Sequence, residues 1–416
     1  DKHDFKLMVG YSFQQFDYEW VYAGNRDFPT DAFETNDLGA GSYNQVSGRN
    51  GMDSEKTREK SIAFLGRLNY NFDDLILFTG SLRYEGNSKF GKDNKWGLFP
   101  AASAAIRLTK LSFLQDNDAV NDLKLRASYG VTGRSGFSRY ISLAKYTGYG
   151  QYWSDTYGKF IMGYGPGNNP NADLKWEKQI SYNLGLDFTL FDSRLSGNLD
   201  FFIRDGKDII NNYAVPMPPY LHSSITTNVG TTQSKGVELS VNWDAVKTKD
   251  FSYSTNLTLS YMKTMMKSFS NETYSLSYIE GDGFPSPGNP GAAQRLRENT
   301  EIGTFYMSRY AGVDENGNIL IWKDGKVGGE TKLGSDANEN DKVYLKDTGV
   351  PKYELAWGNT FTYKNFDLSL FFRGKFKYKI MNQYEMYYGL QVVSGSNLLH
   401  SAFEENAHIK GAKVMC

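Results

Sequence analysis

One spacing in this chain imitates a metal loop. Asp336, Asn338, Asn340 and Asp347 stand at the first, third, fifth and twelfth places of a run, where a calcium loop puts its oxygen ligands. The sixth place, where the sharp turn wants glycine, is Asp341. The competing reading is an Asn/Asp-rich turn whose side chains cap their own backbone. The four histidines, His3, His222, His400 and His408, are scattered. None pairs at i, i+4 around a glutamate, as a zinc-hydrolase helix requires. No G-x-S-x-G occurs; Gly133-Arg134-Ser135-Gly136 comes nearest and reads as a flexible loop entry. The single cysteine, Cys416, can build no disulfide or thiolate metal site within the chain. Calcium apart, no cofactor is expected, and these residues argue against an enzyme.

Residues suited to binding are more plentiful. Trp20, Tyr22, Trp153, Tyr157, Tyr220, Tyr274 and Tyr278 fall in stretches that read as long loops. Aromatic faces stack on sugar rings, and loops concentrate binding residues. The same rings also serve to pack loops against one another or against a partner. Arg83, Glu85, Arg204 and Arg373 lie near one end of alternating segments. They are candidates for touching a cargo, beside many charged residues that read as a hydrated wall.

The elements that must position these residues are strands. In Gln179–Leu190, Ile180, Tyr182, Leu184, Leu186 and Phe188 alternate with Gln179, Ser181, Asn183, Gly185 and Asp187. Leu195–Arg204 alternates likewise, and Phe191-Asp192-Ser193-Arg194 joins the two as a tight polar turn. This is an antiparallel hairpin with one apolar and one polar face. Each arm has about 10 residues, enough to cross a bilayer as a tilted strand.

The pattern recurs. Strands are expected near 5–13, 64–72, 76–85, 97–108, 123–132, 237–243, 251–261, 355–363 and 366–372, giving eleven with the hairpin. A short helical turn is expected within 109–122 and a partly helical tail after the last strand. Connections at Asp73-Asp74, 191–194, 244–249 and Lys364-Asn365 are short. Those over 14–60, 133–174, 205–233 and 262–352 are long. Outer-membrane barrels show this two-ended asymmetry, with short periplasmic turns and long outer loops. Tyr70, Phe72, Phe188, Trp243, Tyr253, Phe361 and Phe366 sit beside the short turns, where an aromatic girdle belongs. The fold class expected is all-β, a transmembrane antiparallel up-and-down β-barrel.

Composition agrees. Net charge is −1, which gives no nucleic-acid surface. No run of about 18 apolar residues exists, so no transmembrane helix is expected. Barrel strands show lipid only every second residue, which keeps mean hydropathy low. The chain opens in mid-strand without a signal peptide and stops abruptly, which suggests a fragment.

Several runs resemble a known family. FLGRLNYNFDDLILFTGSLRYEGNSKFGKDNKWGLFPAASAAIRL, LKLRASYGVTG, NPNADLKWEKQISYNLGLDFTLFDSRLSGNLDFF, SKGVELSV and YKNFDLSLFFRGKF resemble blocks of the SusC/RagA-type TonB-dependent outer-membrane transporters of the Bacteroidetes. They stand in the family's order. The resemblance implies a barrel of 22 strands around an N-terminal plug. It implies energisation by a TonB–ExbB–ExbD complex through the N-terminal part, and a SusD-like surface lipoprotein as lid. The function implied is active import of a bulky glycan or peptide cargo across the outer membrane, with lipid around the wall. Plug, TonB box, amino-terminal extension and closing strands are absent here. Residues 1–416 therefore read as a partial barrel domain of about eleven strands, with 262–352 as a large extracellular region. Within that region Gly303–Tyr310 and Ile319–Trp322 suggest a small hairpin around Asn316-Gly317, with Pro285, Pro287 and Pro290 stiffening its approach. Such a surface suits lid docking or cargo gating. A passive porin-type channel and a surface glycan-binding or adhesion protein are the alternatives.

Overall fold

Strands dominate the computed structural model, which describes residues 2–400 apart from 35, 46–50, 116, 282, 284–290, 317 and 389–396. In chain order they are β1 (His3–Ala23), β2 (Met52–Phe72), β3 (Ile76–Asn87), β4 (Trp96–Arg107), β5 (Val120–Arg134), β6 (Tyr146–Ser154), β7 (Lys159–Pro166), β8 (Glu177–Leu190), β9 (Leu195–Ala214), β10 (Ser224–Lys247) and β11 (Phe251–Ser268). Shorter strands follow: β12 (Ile279–Glu280), β13 (Arg295–Leu296), β14 (Thr300–Glu301), β15 (Thr304–Ser308), β16 (Tyr310–Val313), β17 (Ile319–Trp322), β18 (Thr331–Leu333) and β19 (Lys342–Thr348). The series ends with β20 (Tyr353–Tyr363), β21 (Phe366–Phe376) and one helix, α1 (Gln383–Tyr388).

Eleven strands form one antiparallel wall in the order β1-β2-β3-β4-β5-β8-β9-β10-β11-β20-β21. This is the up-and-down sheet that the alternation predicts. Residues opposed across a ladder share a face. Thus Phe64, Tyr84 and Leu98 align, as do Tyr129, Tyr182 and Ile203, and Leu239, Leu259 and Leu355. On the other face one row reads Arg126, Gly185, Asp200, Glu238, Ser260, Glu354 and Lys375. The apolar row is the open one: Phe64, Leu184 and Phe201 are each about half exposed. An apolar face continuous over eleven strands far exceeds the few hundred Å² of patch that a water-soluble monomer tolerates. It reads as a lipid face.

The short turns follow from local chemistry. Asp73 and Asp74 both take positive φ, 51° and 53°, as the favoured two-residue hairpin turn demands. Phe191, Asp192 and Ser193 do the same. Beside these turns rings pair across strands, Phe5 with Tyr70 at 4.9 Å and Tyr253 with Phe361 at 4.6 Å.

At the other end the strands run further than the alternation predicts. β10 has 24 residues, roughly 75 Å of strand, whereas a tilted crossing needs only about 10 residues. The expected loop over 205–233 is therefore mostly β9 and β10, leaving 215–223 as the connection. The expected loop over 14–60 gives way to the upper halves of β1 and β2, so Trp20 and Tyr22 lie on a strand and not in a loop. Paired charges hold that stretch together in water, Lys56 with Glu19 at 3.1 Å and Arg58 with Asp17 at 2.5 Å.

The region 133–174 contains the separate hairpin β6–β7. Residues up to Ser268 of the region 262–352 still belong to β11, and the other described residues form a small folded unit joined to the wall where β14 pairs with β11. There β16 pairs with β17, and β17 with β18. The expected pairing partner differs for Thr304–Ser308, which as β15 joins β19 instead. Gly317 and Pro285, Pro287 and Pro290 lie outside the described residues, as do His408 and Cys416. The helical turn expected within 109–122 is a single 3-10 turn at Leu108–Lys110.

Candidate functional site

The polar face of the wall carries a charged network at mid-height. Arg126 on β5 donates from Nε to Asp187 Oδ1 at 3.0 Å, from Nη1 to Asn183 Oδ1 at 3.2 Å and from Nη2 to Asp200 Oδ2 at 2.6 Å. Lys124 reaches the other oxygen of Asp187 at 2.9 Å, and Asn183 donates to Asp200 at 3.0 Å. Gly185 leaves the floor for the guanidinium. Three strands are tied by groups that are each at least two-thirds buried. This makes a wet, fixed-charge wall.

The expected cargo residues lie higher on the same face. Arg83 stands seven residues beyond Ile76, Arg204 nine beyond Leu195 and Arg373 seven beyond Phe366. They share a level, but each is four strands from the next, roughly 19 Å at the usual strand spacing. They form a belt and not a pocket. Arg83 is engaged, donating from Nε to Glu85 Oε2 at 2.6 Å. Arg204 instead lies over the ring of Phe202, 4.1 Å from its centroid. Arg373 is on the wall's last strand and exposed.

The aromatic candidates are divided. Trp20 donates to Glu55 Oε2 at 3.1 Å across β1–β2, and Tyr22 is exposed beside it. Trp153 packs edge-on against Phe160 at 5.4 Å in the hairpin, and Tyr157 lies in its turn. Phe160, Met162 and Tyr164 alternate along β7, and all are exposed. Tyr220 belongs to the β9–β10 connection, and Tyr274 packs beside the ring of Tyr213 at 5.6 Å. Tyr278 lies against Arg295.

Three asparagines orient that hairpin, a role that sequence reading did not assign. Asn168 Oδ1 accepts from Lys145 N at 2.8 Å, and its Nδ2 donates to Leu143 O at 2.9 Å. Asn169, buried, accepts from Leu221 N and His222 N and donates to His222 O and Ser224 O. Asn171 donates to Thr226 O at 2.8 Å. The Asn-Asn-Pro-Asn run was the available signal, since short amides bond backbone. Below it Trp176 packs with Phe90 at 4.4 Å and Phe99 at 5.3 Å, and its Nε1 donates to Lys95 O. That buried cluster locks the β3–β4 connection to the entry of β8.

The folded unit within 262–352 is clamped by Arg295, which is buried. It pairs with Glu280 and Glu339, each at 2.8 Å, and lies between the rings of Tyr278 and Tyr306 at 3.8 and 4.3 Å. Burial opposes its charge, yet the two carboxylates push its pKa up overall.

The calcium-like run folds as a turn in the same unit. Asn338 Oδ1 accepts from Asn340 N, and Asp341 Oδ2 accepts from Asn338 N, both at 2.9 Å. Asp336 Oδ1 accepts from the Ser335 hydroxyl, and Asp347 is an exposed residue of β19. Asp341, the misfit of the calcium spacing, is the buried one. Lys332 Nζ lies 2.5 Å from its carboxylate, and Asp324 N donates to it at 3.1 Å. The hydrogen bond from Lys332, with those backbone donors, holds its pKa down to about 2. The cation beside this carboxylate is thus an ammonium of the chain. Among the described residues no group of three or more His, Cys, Asp or Glu is placed to hold a metal ion.

Known proteins resemble this chain in sequence and in fold. The family model described as TonB dependent receptor-like, beta-barrel, matches residues 2–374. TonB-dependent receptor P3 of Formosa agariphila is 31% identical over 396 residues, covering 91% of this chain and 38% of its own. TonB-dependent receptor SusC of Bacteroides thetaiotaomicron is 28% identical over 357 residues, covering 85% of this chain and 34% of its own. The solved RagAB peptide transporter superposes with a TM-score of 0.75 at 24% identity, over 90% of this chain and 39% of that one; this likeness bears on the fold. The chain thus spans less than two-fifths of the length of each of these proteins.

Proposed function

This chain belongs to the TonB-dependent receptor β-barrel family, of the SusC/RagA type, and from that premise we propose that the full-length protein imports a bulky nutrient across the outer membrane. The family implies the outer-membrane location and a receptor-transporter and not an enzyme. The observation that carries the reading is the two-ended wall. An apolar belt for lipid lies on one face and fixed charges line the other. The strands continue past the bilayer at one end only, into elaborate connections. A closed barrel built on this wall encloses a wide polar lumen. A wide lumen leaks unless a plug closes it, so passage is gated.

In this reading the cargo is an oligosaccharide or an oligopeptide. The TonB–ExbB–ExbD complex supplies the energy through a part of the protein outside this chain. A SusD-like surface lipoprotein docks on the outer connections, chiefly the β6–β7 hairpin and the unit within 262–352. Trp153, Tyr157, Tyr220 and the belt of Arg83, Glu85, Arg204 and Arg373 face cargo or lid, as do Trp20 and Tyr22 on β1. The exposed ring face of the hairpin supports this, since interface cores are rich in Tyr, Trp, Phe and Met.

Uptake of a fluorescent oligomer by cells carrying the full-length protein tests it. Uptake should stop when a proton uncoupler is added. Uptake that persists points to a passive channel, and surface retention without entry points to an adhesion protein.

A further inference from the structure

We propose that the polar wall holds, at its outer rim, a binding site for an oxyanion of the cargo, a carboxylate or sulfate, built on Arg204 and Arg134. The proposal rests on the import reading. Arg134, Glu177, Gln179, Arg204 and Thr232, from four adjacent strands, line a cleft of about 440 Å³.

A bulge opens this cleft. Along β9–β10, Gly206 pairs with Thr232 but Ile209 pairs with Gly230, so Lys207 and Asp208 on β9 stand against the single Thr231 on β10. Asp208 takes a φ of 56°, and Asn228 Nδ2 holds its carbonyl at 2.8 Å. Bulges bend a strand and re-aim its side chains. Glu177 Oε1 accepts from Ile210 N at 2.7 Å. Gly206 and Gly136 keep the floor low.

The charges in the cleft do not balance. Arg134 and Arg204 line it against the single carboxylate of Glu177, while Lys178 falls on the other face of β8 with Ile180 and Tyr182. Glu177 is already committed to Ile210 N, and Arg134 Nε comes only within 4.0 Å of it. Among the described residues Arg204 has only the Phe202 ring as a partner. That ring is 5% exposed and fills the space over Gly236, where a Cβ would come within 2.3 Å. A guanidinium propped on a fixed ring is preorganised, and its fork matches an oxyanion in two-point contact. Gln179 and Thr232 add neutral donors beside it.

The site lies on the cargo's path. Arg204 is nine residues, roughly 30 Å of strand, beyond the short turn at 191–194. That height is the top of a crossing, near the outer ends of β5 and β8 at Arg134 and Glu177.

The test uses the purified full-length protein in detergent and calorimetric titration with four probes. These are trigalacturonate, its methyl ester, a sulfated trisaccharide and triaspartate. An acid or sulfated probe should bind at least tenfold more tightly than the ester. Arg204→Gln should abolish that preference, and Arg204→Lys should restore part of it. Which probe shows the effect tells glycan carboxylate, glycan sulfate and peptide carboxylate apart. An unaltered preference in Arg204→Gln overturns the proposal, as does a wild type that binds none of the three anions. So does an Arg204→Gln protein that only loses thermal stability without cargo, because the arginine then holds another segment of the chain. Failure of the import reading is separate: uncoupler-insensitive uptake with an intact Arg204-dependent preference sinks import and leaves the site standing.

Discussion

The guanidinium of Arg126 occupies the space that a side chain at residue 185 would need: a Cβ on Gly185 would lie 2.5 Å from Arg126 Cζ. The two residues face each other across β5 and β8. Glycine at 185 is thus the seat of the charged network on the polar wall.

Gly185→Val should push Arg126 off Asp187 and Asp200. The guanidinium is the far end of a flexible chain, so the backbone need not move. The loss is that of charged hydrogen bonds in a part-exposed setting, about 1–2 kcal/mol. Urea midpoints of the full-length protein measure it. Arg126→Met should cost a similar amount, and the double variant no more than the worse single one. Strictly additive costs would show that Gly185 serves some other purpose.

Leu184 and Ser128 test the two faces. Leu184 is 49% exposed on the apolar face, six residues from the end of β8 and so near the middle of a crossing. Leu184→Arg should cost about 2–4 kcal/mol in a bilayer. Ser128, opposite Asn183 on the polar face, should accept arginine for much less. Heat-modifiable gel mobility of the two full-length variants compares them, and equal tolerance would reverse or abolish the assignment of faces.

The apolar face carries a polar knot on β11 and β20 near the short turns. Tyr253 and Thr255 donate to Asn359 Oδ1 at 2.8 and 3.1 Å, and Trp357 Nε1 donates to Thr255 Oγ1 at 2.9 Å. Lipid offers these groups no replacement partner. Asn359→Leu should cost about 1–2 kcal/mol, although it adds apolar surface to an apolar face. A stabilising outcome in unfolding from bilayers would mean that water reaches the knot.

Asp341 gives the folded unit within 262–352 a pH dependence. Its carboxyl is held at about 2, against about 3.9 in an unfolded chain. A depressed folded-state pKa stabilises fully above the unfolded value and is lost as pH falls through the folded one. The contribution should therefore be complete above about pH 4 and vanish toward about pH 2. Comparison with Asp341→Asn isolates it: protease protection of the unit should differ between the two proteins at pH 6 and converge at pH 2. A difference that does not shrink on acidification rules out the titration of Asp341 as its source.

Sequence alone settled the wall wherever lipid touches it. At Ile180–Leu190 one face must be apolar and the other need not be, so period two is written into the residues and names strand, face and register. The same holds for Asp73-Asp74 and 191–194, because tight turns demand particular backbone angles. Above the membrane that constraint disappears. Both faces of Asp17–Tyr22 and Arg204–Ala214 meet water, so alternation fades while the backbone ladder continues, and Trp20 and Tyr22 read as loop. Register decided the rest. Only pairing across β5, β8 and β9 brings Arg126 to Asp187 and Asp200, and only the bulge at Lys207–Asp208 opens the cleft at Arg204. Asp341 meets Lys332 through the packing of short strands, and a calcium-like spacing carries no information about which side chains a turn buries. Period is a local property of a chain in contact with two solvents, whereas these contacts join residues far apart in sequence, and folding alone sets their distance.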